Sequence, residues 1–259
     1  MTASSRLRRR PVARLISRAS FACLAVETAG GPHVTPLLFA ATADRVWFGI
    51  GRGTVKARVL AKRPAVGVVV PGEDASVVIR GQATLIDRLP PSATELARVP
   101  FALPAFASRN AFELAAFARD VVRSASAPSP LTPVSVRVDE LELLEGWPAP
   151  AVLGWMTPSG PLALPARWDS DTHRAQVPGA PIRAAGGPRT APACICVDES
   201  EGLGPLAKRG RLLRGEGRAR IRGQNAAVVL KTTRTTRWKG FETRTTVARP
   251  GPRSAKLHT

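Results

Sequence analysis

Tyrosine is absent from this 259-residue sequence, methionine occurs twice, and aromatic residues make up only 5%. Any core must therefore be built mainly from the Val, Leu, Ala and Ile that dominate a hydrophobic share of 44%. No apolar run is long enough to span a bilayer, and the stretch 21–26 is too short for the core of a signal peptide. We therefore expect a cytoplasmic protein with no membrane partner.

Cysteine and histidine are equally scarce, with three of each. Alternation along a strand would place Cys194 and Cys196 on one face, with only Cys23 left elsewhere, so we expect buried free thiols rather than a zinc site. His33 invites a catalytic or haem-ligand role, but a lone histidine beside a turn is more typical of an exposed residue. Because no nucleophile–base set or carboxylate pair is indicated, we predict no catalytic side chain and no metal.

Acidic residues are few, and the net charge of +19 is unevenly distributed. Residues 1–20 carry six arginines and no acid, residues 205–259 carry fifteen basic residues against two acids, and residues 21–204 are neutral. The bias of Arg over Lys favours a solvated, arginine-rich surface. A nucleic-acid partner for the basic C-terminal face remains an alternative that we do not favour.

The remaining sequence has the pattern of a mainly β protein with short helices, of the β-barrel or α+β class. Three strands, a short helix over 54–62 and two more strands fill residues 21–87, an order that indicates an antiparallel barrel rather than a βαβ fold. Helical spacing over about 92–123 predicts an insertion, and the alternating stretch 134–144 would close the barrel. We therefore predict one domain over 1–145 and a second over 146–259.

The second half repeats motifs of the first in the same order, at offsets of roughly 128–134 residues, as in a tandem duplication. The matches are Gly31-Pro32 with Gly160-Pro161, Arg63-Pro64 with Ala191-Pro192, and Arg80-Gly81-Gln82 with Arg214-Gly215-Glu216. Another stretch, Arg222-Gly223-Gln224, is an alternative counterpart of Arg80-Gly81-Gln82.

The stretch Gly49–Arg58 carries the clearest chemical signal. A strand runs into a glycine-rich turn that opens a helix, which leaves backbone N–H groups free to face an anion. Thr54 offers a hydroxyl at the helix cap, and Lys56 adds positive charge. The pattern indicates a phosphate-binding turn, although turns of this kind are common without a ligand.

This stretch lies within a longer one, residues 10–90, that resembles the pyridoxamine 5′-phosphate oxidase-like superfamily of FMN-binding split β-barrels. The likeness rests on Gly31–Phe39, Arg45–Phe48, Gly51–Leu60, Arg63–Val66 and Val77–Ala83. It implies two tandem split barrels packed as a pseudo-dimer, and a flavin- or deazaflavin-dependent oxidoreductase that transfers hydride to or from a small molecule. The cofactor would be FMN or a deazaflavin such as coenzyme F-420. The cofactor-binding residues implied are Val34, Thr35, Pro36 and Leu37 along the flavin ring, and Gly51, Arg52, Gly53, Thr54, Lys56 and Arg58 around its phosphate.

One departure from the family pattern is Val59, which stands where relatives often carry Asn. Alignment on Pro192 places Ala184 opposite Lys56, so the second barrel is expected to have no phosphate site and to act as a built-in partner. Its candidate wall residues are Arg167, Trp168, Trp238 and Lys239. A non-catalytic cofactor- or haem-binding protein, and a further homodimer of the whole chain, stay open as alternatives.

Overall fold

The computed structural model describes residues 7–42, 44–86, 93–124, 131–202, 205–240 and 242–248. Strands dominate these ranges, which confirms the predicted mainly β fold with short helices. Within them, no helix combines the length and the hydrophobicity needed to cross a membrane.

The elements are numbered in chain order. The strands are β1 (Ala22–Thr28), β2 (Gly31–Leu37), β3 (Phe39–Ala41), β4 (Arg45–Gly51), β5 (Ala65–Pro71), β6 (Ala75–Leu85), β7 (Leu131–Glu145), β8 (Ala151–Thr157), β9 (Gly160–Asp169), β10 (Arg174–Pro178), β11 (Thr190–Asp198), β12 (Arg209–Arg222), β13 (Asn225–Lys239) and β14 (Glu242–Val247). The helices are α1 (Arg10–Arg18), α2 (Val55–Leu60), α3 (Ala93–Arg109), α4 (Ala111–Ser124) and α5 (Gly179–Ala184), and Pro205–Ala207 forms a 3₁₀ turn.

The first sheet has the strand order β2-β1-β5-β6-β7-β4-β3. Only Leu38 separates β2 from β3, so the chain runs directly from one end of this order to the other and the sheet curls into a barrel. The hairpin between β1 and β2 turns at Gly31, whose φ of +93° favours glycine. Alternate residues such as Leu24 and Val26 point into a core of branched side chains, as strand periodicity requires.

The second sheet has the order β10-β9-β8-β11-β12-β13-β14, and β10 also pairs with β13, which closes a second barrel. Its core contains Trp155, Leu164 and Ile182, all fully buried. The β8–β9 hairpin turns at Gly160, with a φ of +113°. The two barrels thus share one plan, in which β9 corresponds to the run of β2 and β3, and α5 corresponds to α2.

β-Bulges fall at equivalent places in both barrels and decide between the competing motif matches. The β6–β7 pairing shifts register between Arg80 and Gly81, and the β12–β13 pairing shifts between Arg214 and Gly215. A Cβ on either glycine would collide with the carbonyl oxygen of the facing strand, which is why a bulge glycine is needed there. The counterpart of Arg80-Gly81 is therefore Arg214-Gly215, because Gly223 lies in the β12–β13 turn.

The outer faces of the two barrels pack against each other in a reciprocal way. A Cβ on Gly31 would lie 2.9 Å from Pro192 Cβ, and one on Gly160 would lie 2.8 Å from Ala65 Cβ. The β1–β2 hairpin of the first barrel thus contacts β11 of the second, and the β8–β9 hairpin of the second contacts β5 of the first. This approximate twofold arrangement is the predicted pseudo-dimer.

Two sequence-based details were wrong. The reciprocal contacts equate Pro192 with Ala65 rather than with Pro64, because the loops of the two barrels differ in length. The helix caps Thr54 and Pro178 then place Ala180, not Ala184, opposite Lys56.

Candidate functional site

A cavity of about 590 Å³ lies where the two barrels meet the helices α3 and α4. This volume falls within the range of ligand pockets, and most of the side chains around it are apolar. The residues that line it include His33, Val34, Thr35, Pro36, Leu37, Thr54 and Lys56 of the first barrel, Phe106, Glu113, Leu114 and Phe117 of the helices, and Asp198, Ser200, Lys208, Leu212, Thr236, Trp238 and Thr243 of the second barrel.

Strand β2 forms one wall, and all four of the residues predicted to lie along a flavin ring line the cavity. Val34 packs on the second barrel near Gly154, where it helps to hold the wall in place. The hydroxyl oxygen of Thr35 is buried and has no hydrogen-bond partner among the described residues. A buried, unsatisfied hydroxyl is costly, so its place in a cavity wall fits a ligand that supplies the missing partner.

Helix α2 brings the predicted phosphate anchor to the same cavity. Thr54 caps the helix: its hydroxyl donates to the Gly51 carbonyl at 2.7 Å and accepts from the Ala57 N–H at 3.4 Å. Lys56 turns into the cavity, where burial lowers the pKa of its ammonium to about 8 while the nearby Cys196 thiol acts in the opposite direction. A partly desolvated ammonium of this kind gains most from an anionic ligand.

The other predicted phosphate residues are placed differently. Arg52, Gly53 and Arg58 are exposed, and neither they nor Gly51 line the cavity. Gly51 serves the turn, because its carbonyl accepts the Thr54 N–H at 3.0 Å. The structure therefore brings together the β2 residues, Thr54 and Lys56, and leaves the arginines on the outer surface.

His33 was expected to be exposed, and that prediction is wrong. The residue is half-buried and lines the cavity. Burial, reinforced by the positive charges of Lys56 and Arg214, lowers the pKa of His33 to about 3. Its imidazole is therefore neutral at physiological pH and can act as a hydrogen-bond donor or acceptor, or as a metal ligand.

The second barrel supplies the facing wall through two rows of cross-strand neighbours. One row runs Asp198, Gly210, Trp238 and Thr243 across four strands, and the adjacent row includes Leu212 and Thr236. Residues paired directly across strands lie on one face of a sheet, so each row presents its side chains together. The sequence singled out Trp238, but the other members come together only through strand pairing.

Helices α3 and α4 cover the cavity with Phe106, Leu114 and Phe117. They are fixed to the first barrel at their junction, where the Asn110 amide donates to the Phe39 carbonyl at 3.1 Å. The Arg109 guanidinium lies 4.3 Å from the centre of the Phe39 ring and donates to the carbonyl groups that end α1. Sequence periodicity predicted these helices but gave no sign that they line a site.

The same helices also contact the second barrel. Lys208 lies 3.4 Å from the Glu113 carboxylate, and Asp120 accepts the Leu206 N–H at 3.1 Å. Asp120 is almost fully buried, so this contact is part of the packing rather than a surface ion pair. The cavity therefore depends on three units of one chain: each barrel and the helical pair.

Three other candidates for the second wall lie elsewhere. Trp168 makes an edge-to-face contact with His173, and Arg167 lies 5.2 Å from the Trp147 ring centre. Lys239 is exposed and does not line the cavity. On the basic face, Arg218 and Arg220 alternate with buried residues along β12, in the manner of a solvated strand.

All three cysteines are buried free thiols, as predicted. Burial raises the pKa of each, that of Cys194 to about 12. A thiol in this state is a poor nucleophile at neutral pH. Cys194 instead fills space at the junction, where it packs against Gly154.

The sequence profile of the pyridoxamine 5′-phosphate oxidase family matches residues 10–122, which span most of the first barrel and nearly all of the helical pair. Through this part, the chain is similar to the pyridoxamine 5′-phosphate oxidase family. The short helix with Lys56 and the β2 wall both lie within the matched residues. A comparison with curated proteins found no match.

Solved structures with a similar fold include three bacterial proteins. An FAD-binding protein from Mesorhizobium loti is 17% identical, with 52% of this chain and 90% of that chain covered and a TM-score of 0.38. The haem storage protein HutZ from Vibrio cholerae is 13% identical, with 52% and 92% covered and a TM-score of 0.38. A conserved protein from Mycobacterium tuberculosis, Rv2991, is 16% identical, with 53% and 84% covered and a TM-score of 0.39.

Proposed function

We propose that the chain binds a phosphate-bearing flavin, FMN or a deazaflavin such as coenzyme F-420, between its barrels and serves as an oxidoreductase for a small molecule. The observation that carries this proposal is the meeting of the β2 wall with the desolvated Lys56 ammonium in one cavity. An elongated ligand with a flat apolar ring and an anionic end matches these two features.

When bound, the cofactor would supply the hydride chemistry, and the protein's part is to bind, orient and exclude water. Lys56 would pair with the phosphate. Thr35 would hydrogen-bond a polar edge of the ring, and the helices that carry Phe106 and Phe117 would keep water from the reacting face. None of these roles needs a side chain that gives or takes a proton.

We also propose that the two barrels arose by tandem duplication and that only the first kept its anchor. Ala180 occupies the position of Lys56 in the second barrel, which leaves that helix without a cation at the matching point. One chain would then hold one cofactor, with the second barrel as the fixed partner. Titration should therefore give a stoichiometry of one FMN per chain.

The direct test is a parallel titration of the purified protein with FMN, riboflavin, deazaflavin and haemin, followed by absorbance and fluorescence. We expect FMN or deazaflavin to bind, and riboflavin to bind more weakly than FMN because it lacks the phosphate. Haem is the second candidate, favoured by the neutral His33 imidazole in the cavity. A Soret shift that is lost in His33→Ala, with no flavin bound, would replace the flavin proposal by a haem-binding one.

The affinity for FMN should depend on pH. Because the pKa of Lys56 in the free cavity is about 8, the ammonium is present below that pH, and affinity is lost as pH rises above it. The phosphate carries less negative charge below its second pKa of about 6, so binding should be tightest between roughly pH 6 and 8. The other basic groups of the cavity should not cause this pH dependence, because His33 stays neutral over this range and Lys208 is paired with Glu113. Riboflavin should show a flat profile from pH 6 to 9.5; a parallel fall for both ligands would contradict this assignment.

Thr35→Val should change stability and binding in opposite directions. Removing a buried hydroxyl without a partner should leave the free energy of unfolding unchanged or raise it, by up to about 1 kcal/mol. FMN affinity should fall roughly fivefold, because the ligand loses a hydrogen bond. The comparison is Thr28→Val: the Thr28 hydroxyl donates to the Gly31 carbonyl at 2.6 Å, so that change should lower stability. Urea denaturation and FMN titration of both variants check the contrast.

A further inference from the structure

The wall that the second barrel contributes carries its own binding chemistry. Asp198, Gly210 and Trp238 are direct neighbours across β11, β12 and β13, so their side chains share one face. A Cβ on Gly210 would lie 2.8 Å from Cε2 of Trp238 and closer still to Cζ2. The indole therefore lies across Gly210 toward the strand of Asp198, and it can do so only because that position has no side chain.

Within the part of the chain that the structure describes, no cation pairs with the carboxylate at the end of this row. Among the described residues, Asp198 takes part in no ion pair, and its two hydrogen bonds, from the Ser200 N–H and hydroxyl, both go to Oδ1. The second oxygen, Oδ2, is therefore still free to accept. The other carboxylate in the cavity, Glu113, is already neutralised by Lys208 at 3.4 Å.

We propose that Trp238 and Asp198 form the substrate subsite of the cavity and select a small organic cation, such as a protonated amine or a cationic nitrogen heterocycle. This inference rests on the proposed function, because it assigns the substrate class of that same site. The face of an indole attracts a cation, and a carboxylate beside it adds a charge-assisted hydrogen bond. An anionic substrate would meet the carboxylate with like charge.

The subsite also fits the division of charge in the cavity. Lys56 lies on the first barrel and suits an anionic cofactor end, whereas the unpaired carboxylate lies on the second barrel. His33, which also lines the cavity from the first barrel, is neutral. The two barrels thus offer opposite charges to two different ligands.

The test uses three probes that share one ring and differ in charge: benzylammonium, benzyl alcohol and benzoate, each titrated into the full chain at pH 7 by ligand-observed NMR. We expect benzylammonium to bind roughly tenfold more tightly than benzyl alcohol, and benzoate most weakly. Asp198→Asn should remove the preference for the cation without weakening benzyl alcohol. Trp238→Leu should weaken both, and Asp198→Glu should keep the preference.

The matched control is Glu199→Gln, which removes the neighbouring exposed carboxylate and should leave the preference for the cation intact. Equal binding of the three probes, or a preference that survives Asp198→Asn, would overturn the subsite. FMN titration of the same variants separates the two proposals. If wild-type protein binds no flavin but still prefers benzylammonium through Asp198, then the proposed function fails while the subsite stands. A melting curve for each variant shows that it is folded.

Discussion

Lys56→Met should lower the affinity for FMN by roughly 30-fold, which corresponds to about 2 kcal/mol for a charge-assisted contact to phosphate. The effect should be large because the ammonium lies inside the cavity, where burial lowers its pKa to about 8 and little water competes for it. The ligand-free protein should not lose stability at pH 7. Folding lowers the pKa of this lysine, so its charged form disfavours the folded state.

Fluorescence titration with FMN and riboflavin measures this effect, and Lys62→Met is the matched control. Lys62 follows the same helix but is exposed and does not line the cavity. Its loss should change FMN affinity less than twofold, as expected for a screened surface charge. Riboflavin should bind Lys56→Met as well as it binds wild type. Equal losses for FMN and riboflavin would show that Lys56 shapes the cavity rather than pairing with phosphate.

Gly67→Ala should destabilise the chain by about 1–3 kcal/mol, as overpacking of a close interface does. A Cβ at Gly67 would lie 2.5 Å from the Ala163 nitrogen and 2.8 Å from the Pro161 oxygen. Both are backbone atoms of β9 in the second barrel, so no side-chain rotation can relieve the contact. The two barrels would have to move apart, and the cavity between them would widen.

The midpoint of urea denaturation measures the loss, and Gly30→Ala is its control. The nearest atom to a Cβ at Gly30 is the Thr28 hydroxyl oxygen at 4.0 Å, so that substitution should be tolerated. FMN affinity should fall together with stability in Gly67→Ala, since both walls define the cavity. If Gly67→Ala were as stable as wild type, β5 and β9 could not pack as closely as the distances at Gly67 indicate.

Much of the first barrel could be predicted because local patterns coincide with it. The apolar runs of β1 and β5, the capping threonine of α2 and the turn at Gly31 are all determined by near neighbours in sequence. The repeated motifs likewise predicted a second barrel. The alignment of the two barrels was harder to predict, and the Pro64–Pro192 match was one residue off. The reason is that loops between the motifs differ in length, so the offset between equivalent residues is not constant.

The sequence by itself determined the barrel class and the part of the site that lies on one continuous stretch, from β2 to Lys56. Only the tertiary structure decided what faces that stretch. Asp198 and Trp238 are forty positions apart and become neighbours through two strand pairings. His33 is half-buried on β2, which packs against β11 and β12 of the second barrel. The physical reason is that helix caps and strand alternation depend on adjacent residues, whereas burial and charge balance depend on groups that the fold brings together.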